Sequence, residues 1–214
     1  QTCALPIYHD QLTVETFKDF HNTPNKIQAR QLMREGVWPQ KGCQYCEKIE
    51  AAGGVSDRQY QIDSDHDADR VPTELLQDPT ANVVTPRTLE IYFSNTCNMG
   101  CLYCGPHFSS LWEMENNKHG TYRREMVWLP ASSDGRLLSE NTYQLMLNEF
   151  WVWLQKHHSD VHHLHILGGE PFYQKELDQV IDFFDDNPSP NMTLQLVTNL
   201  KVDNTRFKIG RAHV

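Results

Sequence analysis

Three cysteines, Cys97, Cys101 and Cys104, share the stretch Ser94-Asn95-Thr96-Cys97-Asn98-Met99-Gly100-Cys101-Leu102-Tyr103-Cys104-Gly105-Pro106. Three thiolates this close can each take one iron of a [4Fe-4S] cube, and no fourth cysteine nearby is placed to take the last iron. The spacing therefore leaves one iron open to an outside ligand. A second stretch able to do chemistry is Leu167-Gly168-Gly169-Glu170-Pro171. Its two glycines let the backbone pass close to a ligand and expose its amides, while Glu170 supplies a fixed anion beside them. A third is Cys43-x-x-Cys46, entered through Pro39 and Gly42 and running into a helical turn. Such a turn lets two sulfurs point at one ion, as half of a zinc site or of an auxiliary iron-sulfur cluster; two reduced cysteines at a helix start are the plain structural alternative.

Strand ends must present the first two of these stretches. Thr88-Leu89-Glu90-Ile91-Tyr92-Phe93-Ser94 is β-rich and runs straight into the cysteines, His162 to Leu167 runs into the glycines, and Thr193 to Asn199 reads as a third strand. In open α/β sheets and in α/β barrels, ligands gather at the carboxyl ends of the strands. Helices should lie between them. Ser139 reads as the N-cap of a helix from Glu140 to His157, with Tyr143, Met146, Leu147, Phe150, Trp151 and Leu154 as its core stripe. Leu177, Val180, Ile181 and Phe184 mark another, ended by Asn187-Pro188. Residues 108–137, with Trp112 and Trp128, read as a long irregular excursion. This alternation predicts an α/β fold with parallel strands and right-handed crossovers.

The part before residue 87 is less informative. Leu12, Val14, Phe17 and Phe20 suit a short helix, and Lys26 to Glu35 a second. Residues 59–86, rich in Asp, Pro, Thr and Asn, read as a loop or linker. The alternating Asp63, Asp65, Asp67 and Asp69 lack the glycine and terminal glutamate of an EF-hand, so they read as a solvated acidic segment. His157, His158, His162, His163 and His165 are not placed at i, i+4 on one helix, and a strand would send alternate residues to opposite faces, which argues against a histidine metal site.

The spacing of Cys97, Cys101 and Cys104, with Tyr103 just before the third cysteine and Gly168-Gly169-Glu170-Pro171 after the next strand, resembles the signature of the radical S-adenosylmethionine (SAM) enzymes. The resemblance implies that residues 87–207 form the first half of a partial (β/α)6 TIM-like barrel, preceded by an irregular, partly helical segment at 8–86. It also implies a [4Fe-4S] cluster on the three cysteines, with the amino and carboxylate groups of SAM on the unique iron. Tyr103 would lie beside the adenine, and Gly168, Gly169 and Glu170 would meet the methionine end. One electron from the cluster, supplied by a donor such as flavodoxin or ferredoxin, would cleave the S–C5′ bond to methionine and a 5′-deoxyadenosyl radical that abstracts hydrogen from a substrate. The run from Cys43 and Cys46 through Glu, Gly and Ser to Arg58 more loosely resembles radical SAM proteins with a twitch (SPASM-like) auxiliary domain, whose relatives make a peptide the expected class of substrate. The alternative is a structural zinc-binding or ferredoxin-like electron-transfer module, with Cys43, Cys46 and two later cysteines on one zinc. That module would leave Gly-Gly-Glu-Pro without a role.

Composition sets the remaining bounds. The 214 residues carry a formal charge of −9, which argues against a nucleic-acid partner. No apolar run is long enough to span a membrane, and clustered cysteines suit metal binding more than disulfides, so a cytoplasmic protein without a membrane partner is expected. The end segments 1–7 (QTCALPI) and 208–214 (KIGRAHV) both read as translations of one sequencing-library adapter, taken from opposite strands. They are set aside as artefacts, which removes Cys3 as a ligand and leaves the chain two charges more acidic. The expectation is a fragment whose natural protein continues on both sides, with the family's later SAM-contacting strands beyond it and no activity on its own.

Overall fold

A computed structural model describes residues 13–39, 42–63, 71–106, 108–120 and 140–201. In chain order its elements are α1 (Val14–Phe17), α2 (Pro24–Arg34), α3 (Gln44–Ala51), α4 (Asp57–Asp63), α5 (Thr73–Gln77), β1 (Thr88–Tyr92), α6 (Ser110–His119), α7 (Glu140–His157), β2 (His163–Leu167), α8 (Lys175–Asp186) and β3 (Thr193–Leu196). Ser139, Trp128, Asp65, Asp67, Asp69, Cys3 and both terminal segments lie outside the described residues. Among the described residues no helix is long and apolar enough to cross a membrane.

The described residues divide into two compact units. One holds those up to Thr88 together with Glu140 to His162, and the other Leu89 to Gly120 together with His163 to Lys201. The helix α7 falls in the unit of the N-terminal helices.

In the first unit α7 packs against α1. Met146, Leu147, Phe150 and Leu154 are buried as the three-and-four spacing predicts. Trp153, not Trp151, is the buried tryptophan, because the apolar arc is broad enough to include the flank that meets Phe20, ring centroids 5.0 Å apart. The loop expected over 59–86 is corrected by α4 and α5. A reciprocal cap explains α4: the Ser56 hydroxyl accepts from the Gln59 backbone N–H at 3.4 Å, while the Gln59 side chain accepts from the Ser56 N–H at 3.1 Å. Pro72 presets the entry to α5, and a Glu74 carboxylate oxygen accepts from the Thr85 N–H at 3.0 Å.

The second unit contains a small open sheet of three parallel strands in the order β1-β2-β3. Pairing of His163 with Thr193 and of Ile166 with Leu196 fixes the β2–β3 register. Leu164 and Ile166 are fully buried on one face of β2, and the period of two puts His163 and His165 on the other. Leu89, Phe93, Leu177 and Val180 complete the apolar interior, each such side chain contributing about 1.5–3 kcal/mol of burial. Two boundaries differ from expectation. The excursion from residue 108 begins with α6, whose start is capped by the Ser109 hydroxyl accepting from the Trp112 N–H at 3.4 Å and whose end is turned by Gly120 at φ +84°. The third strand ends at Leu196, so Thr198 and Asn199 leave it and enter a turn at Leu200, which holds φ +58°.

Candidate functional site

The first two chemical stretches lie in the second unit, at and just past the carboxyl ends of β1 and β2. The cysteine loop is held from below by the first turn of α6. Ser110 and Cys97 bond reciprocally: the Cys97 N–H donates to the Ser110 hydroxyl at 3.0 Å, and that hydroxyl donates to the Cys97 carbonyl at 3.2 Å. The Ser109 hydroxyl donates to the Met99 carbonyl at 2.8 Å, and the Trp112 indole N–H to the Cys101 carbonyl at 2.8 Å. Buried Asn95 closes the loop, donating to the Pro106 carbonyl at 3.0 Å and to the Glu113 carboxylate at 2.7 Å. These bonds satisfy loop carbonyls that would otherwise be stranded away from water. None of them uses a sulfur: Cys97, Cys101 and Cys104 form no disulfide and are partly exposed.

The glycines allow a close approach within the protein. A Cβ on Gly169, at φ +48°, would stand 2.3 Å from the Thr96 carbonyl oxygen. One on Gly168, at φ +79°, would stand 2.7 Å from the Tyr92 ring. Their bareness lets the end of β2 close onto the cysteine loop, an approach sealed by the Glu170 N–H donating to the Thr96 carbonyl at 2.7 Å. Buried Gln174 adds a second tie, donating to the carbonyls of Gly168 at 2.9 Å and Ser94 at 3.2 Å.

Glu170 is 0% exposed. One carboxylate oxygen accepts from the Thr198 hydroxyl at 2.7 Å and the Phe172 N–H at 3.2 Å, the other from the Asn199 N–H at 2.8 Å. Such donors offset much of the cost of burying the group. Among the described residues none of the ion pairs involves Glu170. Asn199 continues the chain of bonds, its side-chain amide donating to the Asn98 side-chain oxygen at 3.0 Å and reaching the Cys97 sulfur at 3.9 Å. Thr198, Asn199, Asn95, Ser109, Ser110 and Gln174 were not singled out from the sequence. Polar residues directly past a strand's carboxyl end were the available signal for Thr198 and Asn199.

Tyr103 is 89% exposed. Its hydroxyl, hydrogen-bonded to the Cys101 sulfur and close to the other thiols, is held above the usual phenol range. Burial pushes the Cys104 thiol up, against the opposing effect of the Gly105 N–H.

Cys43 and Cys46 lie in the other unit. Cys43 is the buried N-cap of α3 and Cys46 stands one turn on, partly covered. Burial, and then the neighbouring Cys46, push the Cys43 thiol up. The Glu, Ser and Arg that follow them are bonded to one another: the Glu50 carboxylate accepts from the Ser56 hydroxyl at 2.5 Å and from Arg58 at 2.5 and 3.1 Å, and the Arg58 guanidinium lies 4.9 Å over the Trp38 ring. The hydrogen bonds from Arg58 and Ser56 hold Glu50 below the usual carboxylate range.

Among the described residues no three His, Cys, Asp or Glu side chains converge on a point where one ion could sit. A cube spreads its thiolates over separate irons, so its ligands stand wider apart than those of a single ion. Three free, partly exposed thiols on one loop, with backbone already satisfied elsewhere, are a donor set whose chemistry fits such a cluster. Protein-family models, curated proteins and solved structures give no match to this chain.

Proposed function

We propose that the chain is part of a radical SAM enzyme, and that its three-stranded sheet is the first half of a partial (β/α)6 barrel. The observation that carries the reading is the bonded path at one sheet edge. It runs from the cysteine loop at Thr96 to Glu170, from Glu170 to Asn199, and from Asn199 back to Cys97. Three strand ends, a thiol triad and a buried carboxylate without a cationic partner among the described residues are thereby joined where α/β sheets collect ligands.

In this reading Cys97, Cys101 and Cys104 hold a [4Fe-4S] cluster. When bound, the cluster supplies one electron for reductive cleavage of SAM to methionine and a 5′-deoxyadenosyl radical. The chain's residues position and shield. Gly168 and Gly169 bring the β2 edge against the cysteine loop, Glu170 places a fixed negative charge there to meet the cationic methionine end of SAM, and exposed Tyr103 offers a ring to its adenine. Flavodoxin or ferredoxin serves as electron donor and a peptide as substrate class. Cys43 and Cys46 contribute to an auxiliary iron-sulfur cluster or zinc site, steadied by the Glu50–Arg58 pair.

Anaerobic reconstitution with ferrous iron and sulfide tests this. The expected result is a brown protein whose reduced-state EPR spectrum changes on adding SAM and is lost in Cys97→Ala. A colourless protein that takes up zinc alone would sink the proposal in favour of a structural module.

A further inference from the structure

We infer that Asn199 is a positioning residue for the cluster, donating a side-chain N–H to the Cys97 sulfur and so setting the cluster's reduction potential; the inference rests on the proposed function. The orientation of its amide is determined by its partners. The Asn199 side-chain oxygen accepts from the Lys201 N–H at 2.8 Å, which forces the NH2 group toward Cys97 and Asn98. One N–H is taken by the Asn98 side-chain oxygen at 3.0 Å, and the amide nitrogen lies 3.9 Å from the Cys97 sulfur. Asn98 is itself fixed, since its own NH2 donates to the Lys201 carbonyl at 2.7 Å and to the Tyr173 hydroxyl at 3.3 Å. A rotated Asn199 amide would turn a carbonyl oxygen toward both a sulfur and an amide oxygen, leaving three acceptors facing one another.

The backbone is arranged to the same end. The Asn199 N–H is anchored on buried Glu170 at 2.8 Å. The next residue, Leu200, occupies the left-handed region at φ +58°, where a non-glycine side chain is strained, and its N–H is caught by the Thr198 hydroxyl at 3.0 Å. Strain, a buried carboxylate and a closed set of amide bonds all fix one side chain, whose remaining N–H faces a thiol. Hydrogen bonds to cluster sulfurs stabilise the reduced, more negative state and raise the potential.

The test compares midpoint potentials of the reconstituted chain and its variants by EPR-monitored titration, a readout that needs neither SAM nor turnover. Asn199→Ala is expected to shift the potential negative, by roughly threefold or more in the one-electron reduction equilibrium. Asn199→Gln, which keeps a donor, is expected to recover part of the shift. Should Asn199→Ala not fold, Asn199→Ser keeps an uncharged side-chain acceptor for the Lys201 N–H while withdrawing the amide donor from Cys97, and is expected to shift the same way. A purely structural turn would lower the melting temperature and leave the potential of the surviving folded protein unchanged, which overturns this inference alone. A native chain that assembles no cluster overturns the proposed function and the inference with it.

Discussion

At Gly169 a backbone in the left-handed region meets a carbonyl oxygen 2.3 Å from where a Cβ would be, whereas the obstacle at Gly168 is a tyrosine ring at 2.7 Å. The difference decides which substitution the site tolerates. The half-exposed Tyr92 side chain has room to shift, with the Ser94 carbonyl oxygen standing off at 3.3 Å, but the Thr96 carbonyl belongs to backbone that also accepts from Glu170. Gly168→Ala is therefore expected to cost about 1–2 kcal/mol, mostly backbone strain, and Gly169→Ala about 3 kcal/mol or more, since the cysteine loop must move away. Urea unfolding of the two variants checks the order, and equal losses would remove the argument that the second glycine is the clamp. The sequence motif marks both glycines as places where backbone can come close to a partner, and their approach to the cysteine loop follows only when β1 and β2 are placed side by side.

Among elements, α6 is the one on which the site most depends and the one least visible beforehand. Its N-cap and first turn hold the cysteine loop through Ser109, Ser110, Trp112 and Glu113, and buried Ser109 both caps the helix and donates to the Met99 carbonyl. Ser109→Ala should cost about 1–2 kcal/mol, a lost cap plus an unsatisfied carbonyl. Hydrogen exchange should speed up over Cys97–Cys104 while β2 and β3 stay protected; uniform loosening of the whole unit would contradict a local role. The strands and α7 and α8 were legible because strong apolar periodicity writes a buried face into the chain. The helix α6 carries no such stripe: Trp112 and Leu111 serve the loop beside them, and only the Ser109 cap and the Gly120 stop mark its ends. Likewise Ser56-x-x-Gln59 was a readable cap for α4, obscured by the acidic composition that follows. The thiol triad needed only local spacing and could be read directly. Asn199 could not, because its value lies in contacts with Cys97 and Glu170 that are 102 and 29 residues away.

For the molecule as a whole, net acidity and the buried His21 pull the pH response in opposite directions. The sequence pI is about 5.6, so self-repulsion relaxes on mild acidification. His21 works the other way. Burial first, then the charges of Arg30 and Lys26, push it down to about 3 from an ordinary value of 6.5. The unfolded chain thus binds a proton below about pH 6.5 that the folded chain refuses, and stability falls as pH falls through that window. Glu50 and Asp78 are held below their ordinary range, by Arg58 and Thr80 respectively, so their contribution persists above those ordinary values and is lost only on further acidification. The first loss on acidification should therefore carry the signature of His21. Between about pH 7 and about pH 5.5 it amounts to about 1 kcal/mol. His21→Gln should flatten that segment of the curve of unfolding free energy against pH and leave the later, carboxylate-linked fall in place. If native and variant curves run parallel from neutral pH downward, His21 is not the group that senses the change, and relaxation of charge repulsion governs instead.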